Sequence, residues 1–214
     1  EVLGIATGRE TRGHRVHGSA RITLERAADY ESALREKGFV VADYAARRAD
    51  VAAQVRAKAA ELGGTAVIDE ALLDEVSSLV EWPRALAGRF EERFLEVPAE
   101  ALISSMKQHQ KYFHVVDANG ALLPCFITVS NIDSSDAQKV VDGNERVIRP
   151  RLTDAAFFFA QDKQSTLAAQ RERLRSIVFQ TDLGSIWDKT ERVAGLARTI
   201  GAELGADPAL CARA

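Results

Sequence analysis

The chain has 214 residues, 46% of them apolar, 28% charged and 7% aromatic, with a formal net charge of -3 at pH 7. This composition excludes a disordered tail, a collagen-like fibre and a disulfide scaffold, and a chain of this size buries roughly 70% of its unfolded surface, enough for one large core or two small ones. No stretch approaches the ~20 consecutive apolar residues of a spanning helix. Even AAFFFA at 155–160 is closed by Gln161 and Asp162, so no membrane insertion is expected.

Residues 1–18 are basic and punctuated by Gly4, Gly8, Gly13 and Gly18, and the alternation of Ile22 and Leu24 then predicts a short strand over 20–24. Asp29 is placed to cap a helix ended by Gly38. Asp43 caps a longer one carrying Tyr44, Val51, Val55, Ala59 and Leu62 near helical spacing, stopped by Gly63 and Gly64. A third helix starts at Asp69, with Leu72, Leu73, Val76, Leu79 and Val80 as its apolar stripe. Residues 84–90 read as a strand, and Pro98 as the first residue of a helix that buries Leu102, Ile103 and Met106.

The clearest local signal is a hairpin. Two β-rich runs, 112–116 and 122–130, are joined through Asp117-Ala118-Asn119-Gly120, and Pro124 demands an edge position or a bulge. Beyond Ser134 the pattern is helical to the end, broken at Pro150, with Ser165 and Ser185 as N-caps. At least one of Phe158 and Phe159 is expected to be buried. The last long helix is expected to present Ile186, Val193, Leu196, Ala197 and Ile200 on one side, and 209–214 reads as a final helix. Strands mixed with helices up to about 130, then helices alone, predict an α+β domain leading into a helical one. The chain opens at Glu1 without a leader and stops inside a helical pattern, as a piece of a longer protein would. Cys125 and Cys211 are expected to be two reduced, buried thiols.

Several motifs fail on chemistry. Gly8 and Gly13 have the spacing of a phosphate-cradling loop, but His14 and Arg15 stand where that loop needs Lys and Ser or Thr. His14 and His17, or His109 and His114, lack the companions of a metal site, and Ser104 and Ser105 have no sequence rule pairing them with His109. No metal ligand and no catalytic residue is expected here.

What remains is cationic. Residues 61–100 hold ten acids against three arginines, so the rest of the chain is net basic. The basic segments are GRETRGHR, MKQHQKYF, GNERVIRPRL and the cluster Arg171, Arg173 and Arg175. Arginine forks, lysine charges and the rings of Tyr112 or Phe113 are the groups that contact RNA. Arg12, Arg15, Lys107, Lys111, Arg146, Arg149 and Arg151 are the candidate RNA-backbone residues. Arg149 and Arg151 have a competing reading as structural ion pairs with Asp142, Glu145 or Asp154.

The strings GRETRGHRVHG, VIDEALLDEVSSLVEWP, MKQHQKYFHVVDANGALLPCFITVSNI, GNERVIRPRLTDAAFFFAQD and LGSIWDKTERV, in that order, resemble the β-subunit family of bacterial glycyl-tRNA synthetase. His114 departs from the family pattern, which has proline after K-x-x-Q-K-Y-F, and leaves only the local turn in question. The resemblance implies a fragment from the first half of that subunit. It implies an editing-type α+β domain over 1–163, like that of the larger phenylalanyl-tRNA synthetase subunit, and the start of an all-α domain over 164–214. It further implies a tRNA-binding and assembly role beside an α subunit that carries the class II site for glycine, ATP and magnesium, in a cytoplasmic hetero-tetramer of two α and two β subunits. Two alternatives stand beside it: a hydrolytic editing domain, and a module docking the α subunit through the acidic stretch 69–81.

Overall fold

The structure is a computed structural model and describes residues 2–18 and 20–212. Alternating side chains build its first pair of strands. Strand β1 (Glu10–Arg12) lies antiparallel to β2 (Arg21–Thr23), with Ile22 turned inward. Helix α1 (Tyr30–Ala33) follows and widens into a π turn, Leu34–Gly38. Asp29 precedes that helix as expected, but its carboxylate accepts from Arg26 of the preceding 3-10 turn and does not cap α1. Gly38 ends the turn, yet Phe39 takes the left-handed backbone (φ 55°).

The next two caps form as the sequence predicts. Asp43 accepts from the Ala46 N–H (2.6 Å) at the head of α2 (Tyr44–Glu61), and Asp69 from the Leu72 N–H (2.9 Å) ahead of α3 (Glu70–Leu79). Gly63, at φ 76°, lets the chain leave α2. In α3, Leu72, Leu73 and Val76 are buried, whereas Leu79 is exposed: it lies at the end of the helix, where the chain turns to bury Val80 instead.

These helices cover one face of a four-stranded antiparallel sheet ordered β3-β5-β6-β4, formed by β3 (Thr65–Ala66), β4 (Arg84–Arg89), β5 (Phe113–Val116) and β6 (Leu122–Ser130). The predicted hairpin is β5–β6. Its turn is held by the Asp117 carboxylate, which accepts from Asn119 and Ala121 N–H (both 2.8 Å). Because β6 is an interior strand, the edge reading of Pro124 falls. The bulge reading stands: Pro124 lies beside the register shift between His114 and Val116, and its carbonyl accepts from Phe90 N–H. His114 continues β5 opposite Phe126 with no turn at that point.

The core on the helical face joins Val51, Val55 and Ala59 of α2 and Leu72, Leu73 and Val76 of α3 to Phe113, Val115, Cys125 and Ile127 of the sheet. Each fully buried large aliphatic or Phe contributes roughly 1.5–3 kcal/mol. Phe126 points the other way. Its ring covers Gly88 across the strand pair and stacks on Tyr112, with centroids 4.3 Å apart. In α4 (Ala99–Ser104), Pro98 serves as N-cap rather than as first residue; Leu102 and Met106 are buried and Ile103 only half so.

Helix α5 (Ala137–Asp162) runs unbroken through Pro150, contrary to the expected break. Proline removes one hydrogen bond, to the Arg146 carbonyl, at a local cost of ~3 kcal/mol. Ile148 and Leu152, one on each side of it, are fully buried and offset that cost. Asn144, one turn before Ile148, accepts from Tyr112 Oη (2.6 Å) and ties the helix to the second face.

The chain forms two compact units, a larger one that ends at Phe157 and a smaller one that begins at Phe158. The smaller unit contains α6 (Leu167–Arg171), a hairpin of β7 (Val178–Gln180) and β8 (Gly184–Ser185), α7 (Ile186–Glu203) and α8 (Pro208–Cys211). The hairpin corrects the expectation of helices alone, since Val178 and Phe179 are β-formers set before a turn at Gly184. Thr166, one residue after the expected Ser165, caps α6, while Ser185 caps α7 in a reciprocal pair with Asp188.

The side of α7 that packs is not the predicted one. Ala194 and Gly201 are buried, and α8 folds back so that a Cβ at Gly201 would meet Cys211 Sγ at 2.9 Å. Val193, Leu196 and Ile200 remain 51%, 63% and 54% exposed. Small residues admit the close approach that larger ones refuse. Cys211 is exposed rather than buried, and both thiols are free. Phe158 is 62% exposed and Phe159 half-buried under Lys163, so the expected burial of one of the two does not occur. The final helix is the short α8, and Arg213 and Ala214 of the predicted 209–214 helix lie outside the described residues.

Candidate nucleic-acid interface

A glycine triad and a buried histidine organise the basic opening segment. A Cβ at Gly13 would lie 2.3 Å from Gly38 Cα, and one at Gly18 2.3 Å from Gly38 O. Only bare backbone allows this approach. His14 N–H donates to Gly38 O (2.6 Å) across it. The segment therefore does not fit a phosphate: the amide next to Gly13 is engaged by protein, and the glycines are closed against another turn.

His14 is 2% exposed, and both its ring nitrogens have partners. Nδ1 accepts from Val16 N–H (3.0 Å) and His17 N–H (3.2 Å), which makes Nε2 the donor to Asn131 O (2.7 Å). The Asn131 side chain then accepts from Glu81 N–H (2.8 Å) and Trp82 N–H (3.0 Å). His17 Nε2 accepts from Asp133 N–H (3.0 Å). Three segments, 14–17, 81–82 and 131–133, are thus latched together, and a cleft of about 360 Å³ lies between His14, Arg15, Val16, Glu81, Asn131 and Ile132. Beside it stand His17, Phe39 and Trp82. Phe39 is 5.7 Å from His17 and 5.5 Å edge-to-face from Trp82, and Arg84 covers the Trp82 ring at 4.7 Å while pairing with Asp133 (2.9 Å).

The seven candidate cations divide sharply. Lys107 pairs with Asp69 (2.6 Å), Lys111 with Glu75 (2.8 Å) and Arg149 with Glu91 (2.7 Å). The Arg149 partner is none of the three acids proposed from the sequence; it comes from 58 residues away. Arg12, Arg15, Arg146 and Arg151 are exposed, and their side chains have no hydrogen bond or ion pair among the described residues. Arg12 and Arg15 belong to one segment. Arg146 and Arg151 share α5 but lie on different sides of it, since five residues turn the helix by about 140° beyond a full circle.

The acidic stretch 69–81 is largely neutralised within the larger unit. Besides Lys107 and Lys111, Arg48 reaches both Glu70 and Asp74. The Lys107 ammonium and then the Leu72 N–H hold the Asp69 carboxyl below the usual range, and Arg48 does the same for Asp74. Burial, helped by the Lys107 charge, pushes the His114 imidazole down, and burial pushes the Cys125 thiol up, away from a reactive thiolate. Ser105 Oγ donates to the Ala101 carbonyl of its own helix (3.0 Å). Among the described residues no group of three or more His, Cys, Asp or Glu is placed to hold a metal ion, and no helix is long and apolar enough to cross a membrane.

Phe39, Trp82, Arg84 and Asn131 carried no signal in the sequence, because their neighbourhood comes from four separate segments. His14, Arg15 and His17, inside GRETRGHRVHG, were the members visible in the sequence.

The larger unit is an α+β domain in which Lys107, Lys111 and Arg149 are matched to acids while Arg15 stands exposed in the wall of the cleft. Residues 1–214 match the family described as Glycyl-tRNA synthetase beta subunit, and the chain belongs to that family. It is 58% identical over 214 residues to the "Glycine--tRNA ligase beta subunit" of Hahella chejuensis and 56% identical over 214 residues to that of Marinobacter nauticus. It is 55% identical over 213 residues to that of Chromohalobacter salexigens. Each match takes in 100% of this chain and 31% of the relative, so the chain spans about a third of the length of these curated relatives.

Proposed function

We propose that this chain serves as a tRNA-binding and assembly module within a glycyl-tRNA synthetase β subunit, in a cytoplasmic enzyme that attaches glycine to tRNA(Gly) with ATP. The α subunit supplies the aminoacylation site, with its ATP and magnesium, in an assembly of two α and two β subunits; residues 1–163 follow the editing-type fold of the phenylalanine enzyme and 164–214 begin a helical domain. The observation that carries the reading is the partition of cations: Arg12, Arg15, Arg146 and Arg151 stay exposed and unpaired while neighbouring lysines and arginines are matched to acids. Exposed arginines without acidic partners keep their planar forks available to phosphate oxygens.

The two alternatives draw less support. Docking through a bare acidic face is disfavoured by Arg48, Lys107 and Lys111, which already occupy that face. A deacylase has little to correct, because no amino acid smaller than glycine competes for its pocket and larger ones are refused by size.

The test is a salt titration of tRNA(Gly) binding by the complete two-subunit enzyme. Arg15→Ala and Arg146→Ala should each lower affinity and flatten the log K against log salt slope by about 0.7–0.9. Arg149→Ala should leave the slope unchanged, because its charge is spent on Glu91. Unchanged slopes in the first two variants would remove the backbone reading.

A further inference from the structure

We propose that the cleft beside His14, with Arg15 in its wall and Phe39 close by against His17 and Trp82, whose chain neighbours Val16 and Glu81 line it, takes an unpaired nucleotide of single-stranded RNA, a base lying on Phe39 and a phosphate on Arg15. This rests on the RNA-binding reading above and specifies which form of RNA the site selects.

The first argument is backbone strain. Phe39 holds φ 55° and is 37% exposed. A bulky residue in the left-handed region is a genuine outlier that persists only when its surroundings enforce it. Helix ends ordinarily give that position to glycine, and Gly38 stands one residue earlier, consumed by its contact with Gly13 and Gly18. The fold accepts a strained phenylalanine and leaves its ring partly in water.

The second argument is preorganisation. His14 and Asn131 fix the backbone of 14–17 and 81–82, so the cleft walls are set before anything binds. Trp82 supports Phe39 edge-on, and Arg84 backs the tryptophan from its face. Trp82 Nε1 is buried with no acceptor among the described residues, an unusual cost for a ring that serves only its own core.

The third is charge and shape. Arg15 is exposed and unpaired at the cleft wall, and Arg12 precedes it on the same segment. A cleft of about 360 Å³ lies at the lower end of small-ligand pockets. An aromatic face beside a free guanidinium suits a splayed base and its phosphate, whereas bases in a duplex are stacked on one another and cannot reach it. An acidic peptide would use Arg15 but gain little from Phe39.

The experiment uses the full-length β subunit and three probes: a short single-stranded RNA, a duplex of the same sequence and an acidic peptide of similar charge. Phe39→Gly is the informative variant, because glycine accepts the left-handed backbone and removes only the ring. It should weaken single-strand binding about tenfold or more, the size of a lost base-aromatic stack. Duplex affinity should change less than about twofold, and Phe39→Trp should retain single-strand binding. Circular dichroism melting of each variant reports whether the fold is intact; if Phe39→Gly melts early, the decision passes to Phe39→Leu with the same expected loss.

Equal losses on single strand and duplex, no loss with an intact fold, or tighter binding of the peptide than of RNA would each overturn the nucleotide site. If the wild-type subunit in complex with its partner fails to bind tRNA at all, the wider RNA reading fails. If tRNA binding persists with a slope set by Arg146 while Phe39 is silent, only the cleft proposal fails.

Discussion

The larger and smaller units solve burial differently. In the larger one, Phe113, Phe126, Leu73, Leu102, Met106, Ile127, Ile148 and Leu152 are completely enclosed, and two helices cover one face of a sheet. In the smaller one the buried residues of the longest helix are Ala194 and Gly201, while Val193, Leu196 and Ile200 face outward. Amphipathic sequence is present in both. What separates them is whether a second layer exists within the unit to receive the apolar stripe.

That contrast can be broken most forcefully at Phe126. Phe126→Ala empties the stack with Tyr112 and should cost ~3–5 kcal/mol, read as a large fall in the denaturant midpoint of the larger unit. A loss under ~1 kcal/mol would mean the second face of the sheet is not packed as described. Next in size, Gly13→Ala pushes a methyl into the Gly38 backbone, where no side chain can swing aside, and should cost ~1–3 kcal/mol by thermal melting. Asn131→Ala leaves the Glu81 and Trp82 N–H groups without their acceptor, for a similar ~1–3 kcal/mol, and should loosen 14–17 to hydrogen exchange as well.

A smaller effect is set by pH. Burial pushes the Tyr112 hydroxyl up to about 12, so its folded-state value lies above that of the unfolded chain, near 10. The protonated phenol therefore favours the fold fully below pH ~10, and that contribution is lost as pH rises through about 12. Tyr112→Phe should flatten the alkaline limb of the stability curve while lowering the neutral plateau, since Asn144 Oδ1 loses its donor. Smallest of all, Leu196→Lys on the open face of α7 should change the chain's stability by less than ~0.5 kcal/mol. A loss of several kcal/mol there would show that α7 has a cover within this chain after all.

Local chemistry was readable from the sequence and tertiary override was not. Asp43, Asp69 and Ser185 cap their helices because a side-chain oxygen three residues before an N–H needs no distant partner. The β5–β6 hairpin was legible for the same reason. Pro150 misled because its local penalty is outweighed by Ile148 and Leu152, whose burial is supplied by the tertiary fold and not by the helix itself. The partners of Lys107, Lys111 and Arg149 were equally hidden, coming from Asp69, Glu75 and Glu91 far along the chain. The cleft shows both sides: its histidines and arginines stand in one short string, while Phe39, Trp82 and Asn131 reach it only through the fold.

The contact among Gly13, Gly18 and Gly38 bears on how mutational scans of this chain should be interpreted. Gly13 and Gly18 should tolerate almost nothing, a profile usually taken to mark ligand or catalytic chemistry. Here the intolerance encodes missing atoms, because two stretches of backbone touch where any Cβ would intrude. A scan scored only by growth would merge these glycines with Arg15 and Phe39 into one functional patch. Scoring protein abundance beside activity would separate them, with the glycines lost from both measures and the binding residues from activity alone.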